Sequence, residues 1–186
     1  MISIISGKII SNSGAEVVVL TPGGVGYKIF VSPARSEMWK TGSEAQVLTY
    51  LAVHEDAMDL FGFSTEAERG LFIKLLAVSG IGPKTALRLL SLGSVEEIGS
   101  AINSGDVAYL TKVSGIGGKT AERIVVELRG KIDKLSMGDS GPLGDVVEGL
   151  IALGYSSAEA REAVKKIDTK GKTSEQILKT ALQRIK

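Results

Sequence analysis

The sequence predicts an α+β multidomain protein with an N-terminal β-barrel, a central pair of helical hairpins and a C-terminal three-helix module. Three observations lead to this prediction. Short segments rich in β-branched and aromatic residues occupy the first 64 residues. A sixteen-residue pattern then occurs twice, at 75–90 and again at 110–125. A stretch rich in glycine and serine at 135–144 separates the last segment from the rest.

Residues 1–64 are expected to form one barrel domain. Turns are indicated by Asn-Ser-Gly at 12–14 and Pro-Gly-Gly at 22–24, and the expected strands are Ile2–Ile5, Ala15–Thr21, Val25–Val31, Ala45–Val53 and Asp59–Phe63. Five short strands in this length are typical of an OB-fold, and another small β-sandwich or a meander is the alternative. The aromatic residues here are interpreted as core rather than as a surface for stacking bases: Tyr27, Phe30, Tyr50, Phe61 and Phe63.

The central segment, 65–134, contains two copies of one hairpin sequence. Residues 75–90 read LLAVSGIGPKTALRLL and residues 110–125 read LTKVSGIGGKTAERIV, with ten of sixteen aligned positions identical. Each copy predicts an apolar helix, a Gly-Ile-Gly turn and a second helix.

Capping signals place the other helix ends in this segment. Ser64 or Thr65 can cap the first helix, and Ser94 with Glu97 has the capping-box pattern before a short helix near 95–103. The last helix is expected to run to about Lys134.

The two turns carry residues suited to phosphate. Gly80 and Gly82 permit a positive φ and leave no Cβ in the way of a ligand. Lys84 falls in the first turn of a helix, where a cation is unfavourable unless an anion lies nearby. Free N–H groups at such a turn are natural phosphate ligands, whereas the alternative is an ordinary helical hairpin with a glycine turn. Ile81 and Ile116 are expected to insert between the helices.

The pattern G-I-G-x-K-T-A after an apolar helix resembles the helix-hairpin-helix motif of DNA-binding proteins. The resemblance implies contacts to backbone phosphates without base reading, and two adjacent hairpins could hold both strands across a minor groove. The residues expected to bind DNA are Gly80, Ile81, Gly82, Lys84, Thr85, Gly115, Ile116, Gly117, Gly118, Lys119, Thr120 and Arg123.

Residues 135–144, LSMGDSGPLG, are interpreted as a flexible linker, and 145–186 as a three-helix, UBA-like module. Gly154 is expected to end a first helix whose apolar face contains Val146, Val147, Leu150, Ile151 and Leu153. The next helices are expected after Ser156 or Ser157 and after Thr173. A tethered module of this size favours docking to a partner, and the alternative is a helical cap packed permanently on the middle domain.

Composition narrows the functional classes. The chain has no cysteine, which excludes disulfides and thiolate metal sites. No secretory signal and no apolar run of about 18 residues is visible, so a cytoplasmic protein without a membrane partner is expected. The net charge is +1, so affinity for DNA must come from a few placed groups. No cofactor and no metal are expected.

The order of the units resembles the RuvA family of bacterial Holliday-junction recognition proteins. The resemblance covers the whole chain and includes SGIGPKTA, SGIGGKTAERIVVEL, the V-H-E-D-A segment at 53–57 and L-x-x-L-G-Y at 150–155. It implies that the protein forms homotetramers and that one or two tetramers hold a four-way junction open. It also implies a role in DNA recombination, DNA repair and the SOS response. It also implies a RuvB-type hexameric AAA+ ATPase as the partner of residues 145–186.

Two adjacent acids, Glu55 and Asp56, have two interpretations. By composition they are a solvated loop between two strands, beside the single histidine, His54. The resemblance implies instead an acidic pin at the centre of the tetramer, where it would repel phosphates at the crossover.

Two other functions remain as alternatives to a non-enzymatic DNA clamp. A helix-hairpin-helix DNA glycosylase would pair Lys119 with Asp139, but Asp139 lies in the expected linker. The other alternative is an accessory domain of a nuclease or ligase assembly. No G-x-x-x-x-G-K-[ST] phosphate loop occurs in the sequence, so an ATPase activity is expected in the partner rather than in this chain.

Overall fold

The computed structural model describes residues 2–132 and, beyond them, 146–147, 149–150, 152–155, 157–164, 167 and 173–184. The chain forms two compact units, 1–136 and 137–186. The boundary predicted at residue 64 therefore falls within the first unit. The linker predicted at 135–144 lies outside the described residues.

Five strands form the closed barrel that the sequence predicts. They are β1 (Ile4–Asn12), β2 (Glu16–Leu20), β3 (Gly26–Val31), β4 (Glu44–Val53) and β5 (Met58–Phe63), in the order β1-β2-β3-β5-β4. Neighbours are antiparallel except β3 and β5, which pair in parallel over three residues. The barrel core contains Ile5, Ile9, Val17, Val19, Ile29, Val31, Trp39, Val47 and Leu60.

The first strand is longer than the sequence analysis predicts. It continues past Ile5 to Asn12, with Ile5, Gly7 and Ile9 buried in alternation. Gly7 and Lys8 interrupt the alternation of apolar and polar residues by which a strand is recognised in a sequence. Both residues nevertheless pair with β4. A 3-10 helix, Pro33–Met38, was not predicted, and the Asn12 side-chain amide holds its end by donating to the carbonyls of Ser36 and Trp39.

Within residues 2–132, five helices follow the barrel: α1 (Glu66–Leu76), α2 (Pro83–Leu89), α3 (Val95–Ser104), α4 (Val107–Leu110) and α5 (Gly118–Leu128). The Thr65 hydroxyl accepts from the Glu68 amide at the start of α1, and Ser94 and Glu97 form the predicted capping box.

The end predicted for the last helix, near Lys134, is wrong. Helix α5 ends at Leu128 because Arg129 is extended and Gly130 has a φ of +72°. The two residues together turn the chain out of the helical path.

One apolar core joins the barrel to the helices. Phe61 and Phe63 of β5 pack with Leu71 and Phe72 of α1 in the same cluster that contains both hairpins. Such burial contributes about 25 cal/mol per Å² of apolar surface removed from water. The barrel and the helices therefore fold as one body.

Polar contacts between the barrel and the helices reinforce this packing. The buried Glu68 carboxylate accepts from Arg35 Nε at 2.8 Å and from the Ser64 amide at 2.9 Å. The Arg69 guanidinium donates to the Ser3 carbonyl at 3.1 Å.

Helix α4 is tied to the preceding loop by Tyr109, whose hydroxyl donates to the Leu92 carbonyl at 3.0 Å. Burial, with smaller contributions from Glu97 and Asp106, raises the pKa of Tyr109 above its usual value.

The second unit contains helical residues at 146–147, 149–150 and 152, followed by α6 (Ser157–Val164) and α7 (Ser174–Arg184). Gly154 has a φ of +98°, which fits its predicted role at the end of the first helix. Thr173 and Gln176 exchange the hydrogen bonds of a capping box before α7. Ser156 lies outside the described residues.

The apolar cluster of the second unit includes Val146, Val147, Leu150, Ala160 and Ile177. Leu153, which was predicted on the same apolar face, is instead 62% exposed. It lies in the turn just before Gly154, where the chain has already left the helix. Ile151 lies outside the described residues.

Candidate nucleic-acid interface

The two repeated turns have the same backbone geometry. Gly80 and Gly115 have φ values of +89° and +92°, which L-residues rarely adopt. Gly82 and Gly117 then cap α2 and α5 with nearly equal dihedral angles, φ −90° and −86°. The repeat in sequence is thus a repeat in conformation.

Ile81 and Ile116 insert into the apolar core, as predicted, and are 6% and 5% exposed. Their amides donate to the carbonyls of Val78 and Val113, both at 3.1 Å. Since both the side chains and the amides face inward, these two residues shape the turns from the inside.

The N-termini of α2 and α5 lack side-chain caps, because the capping residues are glycines. In α2 the first residue, Pro83, has no N–H and the Thr85 amide donates to the Gly82 carbonyl at 3.0 Å, which leaves the Lys84 amide for an external acceptor. In α5 the first intrahelical bond runs from the Ala121 amide to the Gly117 carbonyl, so the amides before Ala121 are available. Lys84 and Lys119 are exposed in these first turns, and Thr85 and Thr120 are half-buried. Amides, helix dipole and ammonium together form a surface that attracts phosphate at each turn.

An arginine from each hairpin extends to the turn of the other. Arg123 Nη1 donates to the Ser79 carbonyl at 3.0 Å. Arg88 Nη2 lies 3.9 Å from the position that a Cβ on Gly115 would occupy. Arg123 was predicted as a site residue and Arg88 was not, although Arg88 is its equivalent in the first copy of the repeat.

Lys84 is also near the barrel. Its Nζ lies 5.3 Å from the centroid of the Phe30 ring, and Lys28 Nζ lies 5.1 Å from the same ring. A cleft of about 310 Å³ adjoins Lys84 and is also lined by His54, Asp59, Phe61, Gly82, Pro83 and Thr85. A further cleft of about 470 Å³ includes Lys84, Arg88 and Phe30.

Glu55 and Asp56 form the exposed tip of the hairpin between β4 and β5. Val53 and Met58 are the last paired residues, and the His54 amide donates to the Ala57 carbonyl at 2.8 Å. His54 lines the smaller cleft with residues of the first turn. The acidic tip therefore belongs to a loop that borders the first of the two repeated turns.

The glycosylase alternative draws no support from this geometry. Lys119 is exposed in the second turn, and Asp139 lies outside the described residues. In the part of the chain that the structure describes, no three histidine, aspartate or glutamate side chains are placed to hold a metal ion. No described helix has the length and apolar character needed to cross a membrane.

Family comparisons agree with the three expected parts. Residues 1–62 match the RuvA N terminal domain, residues 72–131 match the SAM-like helix-hairpin-helix tandem, and residues 141–186 match the C-terminal domain of RuvA. The OB-type barrel and the tandem hairpins predicted from the sequence are thereby confirmed.

Similar proteins cover nearly the full chain. A protein of Chloroflexus aggregans is 44% identical over 98% of this chain and 97% of its own length. Proteins of Thermotoga maritima and Caldanaerobacter subterraneus are 39% and 42% identical, over 98% and 100% of this chain and 97% and 99% of their own lengths. All three carry the name Holliday junction branch migration complex subunit RuvA.

Proposed function

The chain belongs to the RuvA family, and on this basis we propose that it binds four-way junction DNA as the non-catalytic clamp of a branch-migration complex. The proposal places it in the cytoplasm, in DNA recombination and repair. Its action on DNA is to hold the arms while a partner moves them.

The observation that carries the proposal is the pair of equivalent turns linked by arginines. Each turn offers backbone amides, a helix N-terminus and a lysine, which together recognise phosphate rather than bases. In the proposal, the turn at Gly80–Thr85 holds one strand of an arm and the turn at Gly115–Thr120 holds the other. Arg123 adds charge between them.

Selectivity for a junction is proposed to come from assembly and from the acidic tip. A homotetramer would bring four copies of Glu55 and Asp56 around one axis, and two tetramers would bring eight. Like charges repel by about 1 kcal/mol at 4 Å in water, and by more near a protein surface. Eight carboxylates would therefore keep a continuous duplex away from the axis while the open centre of a junction is accepted.

Residues 145–186 are proposed to bind the motor, a RuvB-type AAA+ ATPase. The module is a separate compact unit with its own apolar core, which suits a docking domain. ATP hydrolysis is assigned to the partner, because this sequence lacks the phosphate loop that P-loop ATPases require.

The first experiment compares equilibrium binding of a four-way junction with that of linear duplex carrying the same arm sequences, at about 0.15 M salt. Strong preference for the junction, retained when the arm sequences are shuffled, is the expected result. Equal affinity for both substrates would reduce the protein to a non-specific duplex binder and would reopen the accessory-domain function.

A further inference from the structure

The larger cleft beside Lys84 combines an apolar floor with a charged rim. Its volume is about 470 Å³, and its floor includes Phe30, Val31, Pro33 and Leu87. Lys84, Arg88 and Glu16 lie around it. It is formed where the first hairpin meets the barrel, on the α2 side of the first turn.

Phe30 is the outer member of a series of rings that continues into the core. It stacks on Phe61 with centroids 5.5 Å apart and an interplanar angle of 28°, and Phe61 in turn contacts Phe72 at 5.4 Å. Phe61 and Phe72 are fully buried, whereas Phe30 is only partly buried. The buried rings therefore fix the orientation of an aromatic ring that remains accessible from the cleft.

The charges around this ring are mainly positive. Lys28 and Lys84 both place Nζ within 5.3 Å of the Phe30 centroid, and Arg88 lines the same cleft. Glu16 lies 4.0 Å from Lys28. Within residues 2–132, no ion pair involves Lys84 or Arg88. An aromatic ring with two such cations suits a ligand that has both a flat ring and a negative charge.

We propose that this cleft binds one unpaired nucleotide of a DNA strand, with its base stacked on Phe30 and its phosphate between Lys84 and Arg88. The proposal rests on the proposed function, because Lys84 also belongs to the first phosphate-binding turn. A strand held at that turn would carry its next nucleotides past the cleft. Bases become unpaired where a DNA strand leaves one complementary strand and pairs with another. The cleft would hold a nucleotide of that strand after the first base pair has opened and before the next one forms.

Phe61 packs against Phe30 from the core side, and the groups that approach the Phe30 ring from outside are the ammonium groups of Lys28 and Lys84. Lysine ammonium groups sit on flexible stems and can move from the ring to the phosphate. Every base has a flat face, so any base can stack on an aromatic side chain, and the stacking contribution to affinity is lost when the aromatic ring is replaced. The cleft therefore adds affinity for single strands without adding sequence preference.

The test uses the full chain and a fluorescent oligothymidylate of about 12 nucleotides. Phe30→Leu keeps an apolar side chain on Phe61 but removes the π-face, and it should weaken binding of the single strand about tenfold. Phe30→Trp should restore most of the affinity. Tyr27→Leu, on the same strand and outside the cleft lining, is the matched control and should have little effect.

A linear duplex, bound by the same variants, separates this proposal from the proposed function. Duplex affinity should change less than about twofold in Phe30→Leu, because a paired base cannot enter the cleft. Equal single-strand affinity of the wild-type protein and Phe30→Leu would overturn the nucleotide site while leaving the junction clamp intact. Failure of the wild-type protein to bind duplex or junction would instead overturn the proposed function.

A cross-linking measurement locates the base directly. An oligonucleotide with 5-iodouracil should form a photo-cross-link to the peptide that contains residue 30. A cross-link confined to residues outside the cleft would contradict the proposal even if Phe30→Leu weakened binding. Thermal unfolding of each variant shows whether a loss of binding is a loss of folding.

Discussion

Arg123 in the second hairpin donates a hydrogen bond of 3.0 Å to the main-chain carbonyl of Ser79 in the first turn. The two residues are 44 positions apart. The equivalent residue, Arg88, approaches the second turn at Gly115. Arg123 therefore ties the second hairpin to the first turn, in addition to the shared core, whereas Arg88 Nε donates to the Lys84 carbonyl of its own helix at 3.3 Å.

Replacing Arg123 with lysine tests this crossing contact. The charge remains, but the ammonium lacks the planar fork that reaches the Ser79 carbonyl. Duplex affinity should fall a few-fold, because the two turns are then held less firmly in their relative position, with little change in its salt dependence since the charge is kept. Arg129→Lys, at the other end of α5, is the control and should bind as the wild type does. A wild-type affinity for Arg123→Lys would show that the contact does not hold the turns in their relative position.

The lysines of the two turns should contribute to affinity but not to sequence preference. Lys84→Ala or Lys119→Ala should weaken binding of every duplex equally and reduce the slope of log K against log salt by about 0.9. Titrations with several unrelated duplexes at three or more salt concentrations measure both quantities. Lys40→Ala, an exposed lysine of the barrel, is the control. A loss that depends on sequence would contradict contacts to phosphate alone.

The acidic tip should oppose duplex binding. Glu55→Gln with Asp56→Asn removes two exposed charges and keeps the side-chain shapes, so stability should not change. Affinity for linear duplex should rise several-fold, and the preference for a junction should shrink, because repulsion at the centre is lost. Glu44→Gln, at the opposite end of β4, serves as the control. Unchanged affinities for both substrates would remove the acidic tip from the mechanism.

The Arg35–Glu68 pair should stabilise the union of barrel and helices. Glu68→Ala leaves the Arg35 guanidinium and the Ser64 amide without their acceptor, and should lower the free energy of unfolding by about 2 kcal/mol. Arg35→Ala should cost a comparable amount, because it leaves the buried Glu68 carboxylate with the Ser64 amide and hydroxyl as its remaining donors. Urea denaturation of both variants and of the double variant gives their coupling. If the two single substitutions lower the free energy of unfolding by amounts that add up to the loss in the double variant, the interaction between Arg35 and Glu68 contributes nothing to stability.

Removal of the second unit should separate binding from motor coupling. A chain of residues 1–136 retains both hairpins and the barrel as one compact unit. It should bind a junction within about twofold of the full chain and fail to stimulate a RuvB-type ATPase on that junction. A large loss of junction affinity would show that residues 137–186 take part in binding DNA.

The repeated turns were predictable because their determinants are local. Each turn depends on residues that are close in sequence: a glycine at positive φ, a helix start without a side-chain cap, and a lysine after it. Two copies of the same residues therefore predict two turns of the same geometry. Helix starts at Thr65 and Ser94 were predictable for the same reason, since a capping side chain bonds to an amide two or three residues later.

Other features depend on contacts between distant residues, which a sequence does not display. The interpretation of Phe30 as core is only partly correct: its ring packs on Phe61, but it also lines a cleft completed by α2. The reach of Arg88 to the second turn depends on the packing of the two hairpins. The exposure of Leu153 depends on where the chain leaves its helix, a boundary that apolar periodicity locates only to within a few residues.

The two turns share a backbone geometry but not their surroundings. Lys84 of the first turn lies beside Phe30 of the barrel, and His54, in the loop that carries the acidic tip, lines a cleft with Gly82 and Thr85. A strand held at the first turn would therefore meet groups of the barrel in addition to the amides and the lysine that both turns offer. On such a surface the two strands of one DNA arm, which run in opposite directions, would not be equivalent.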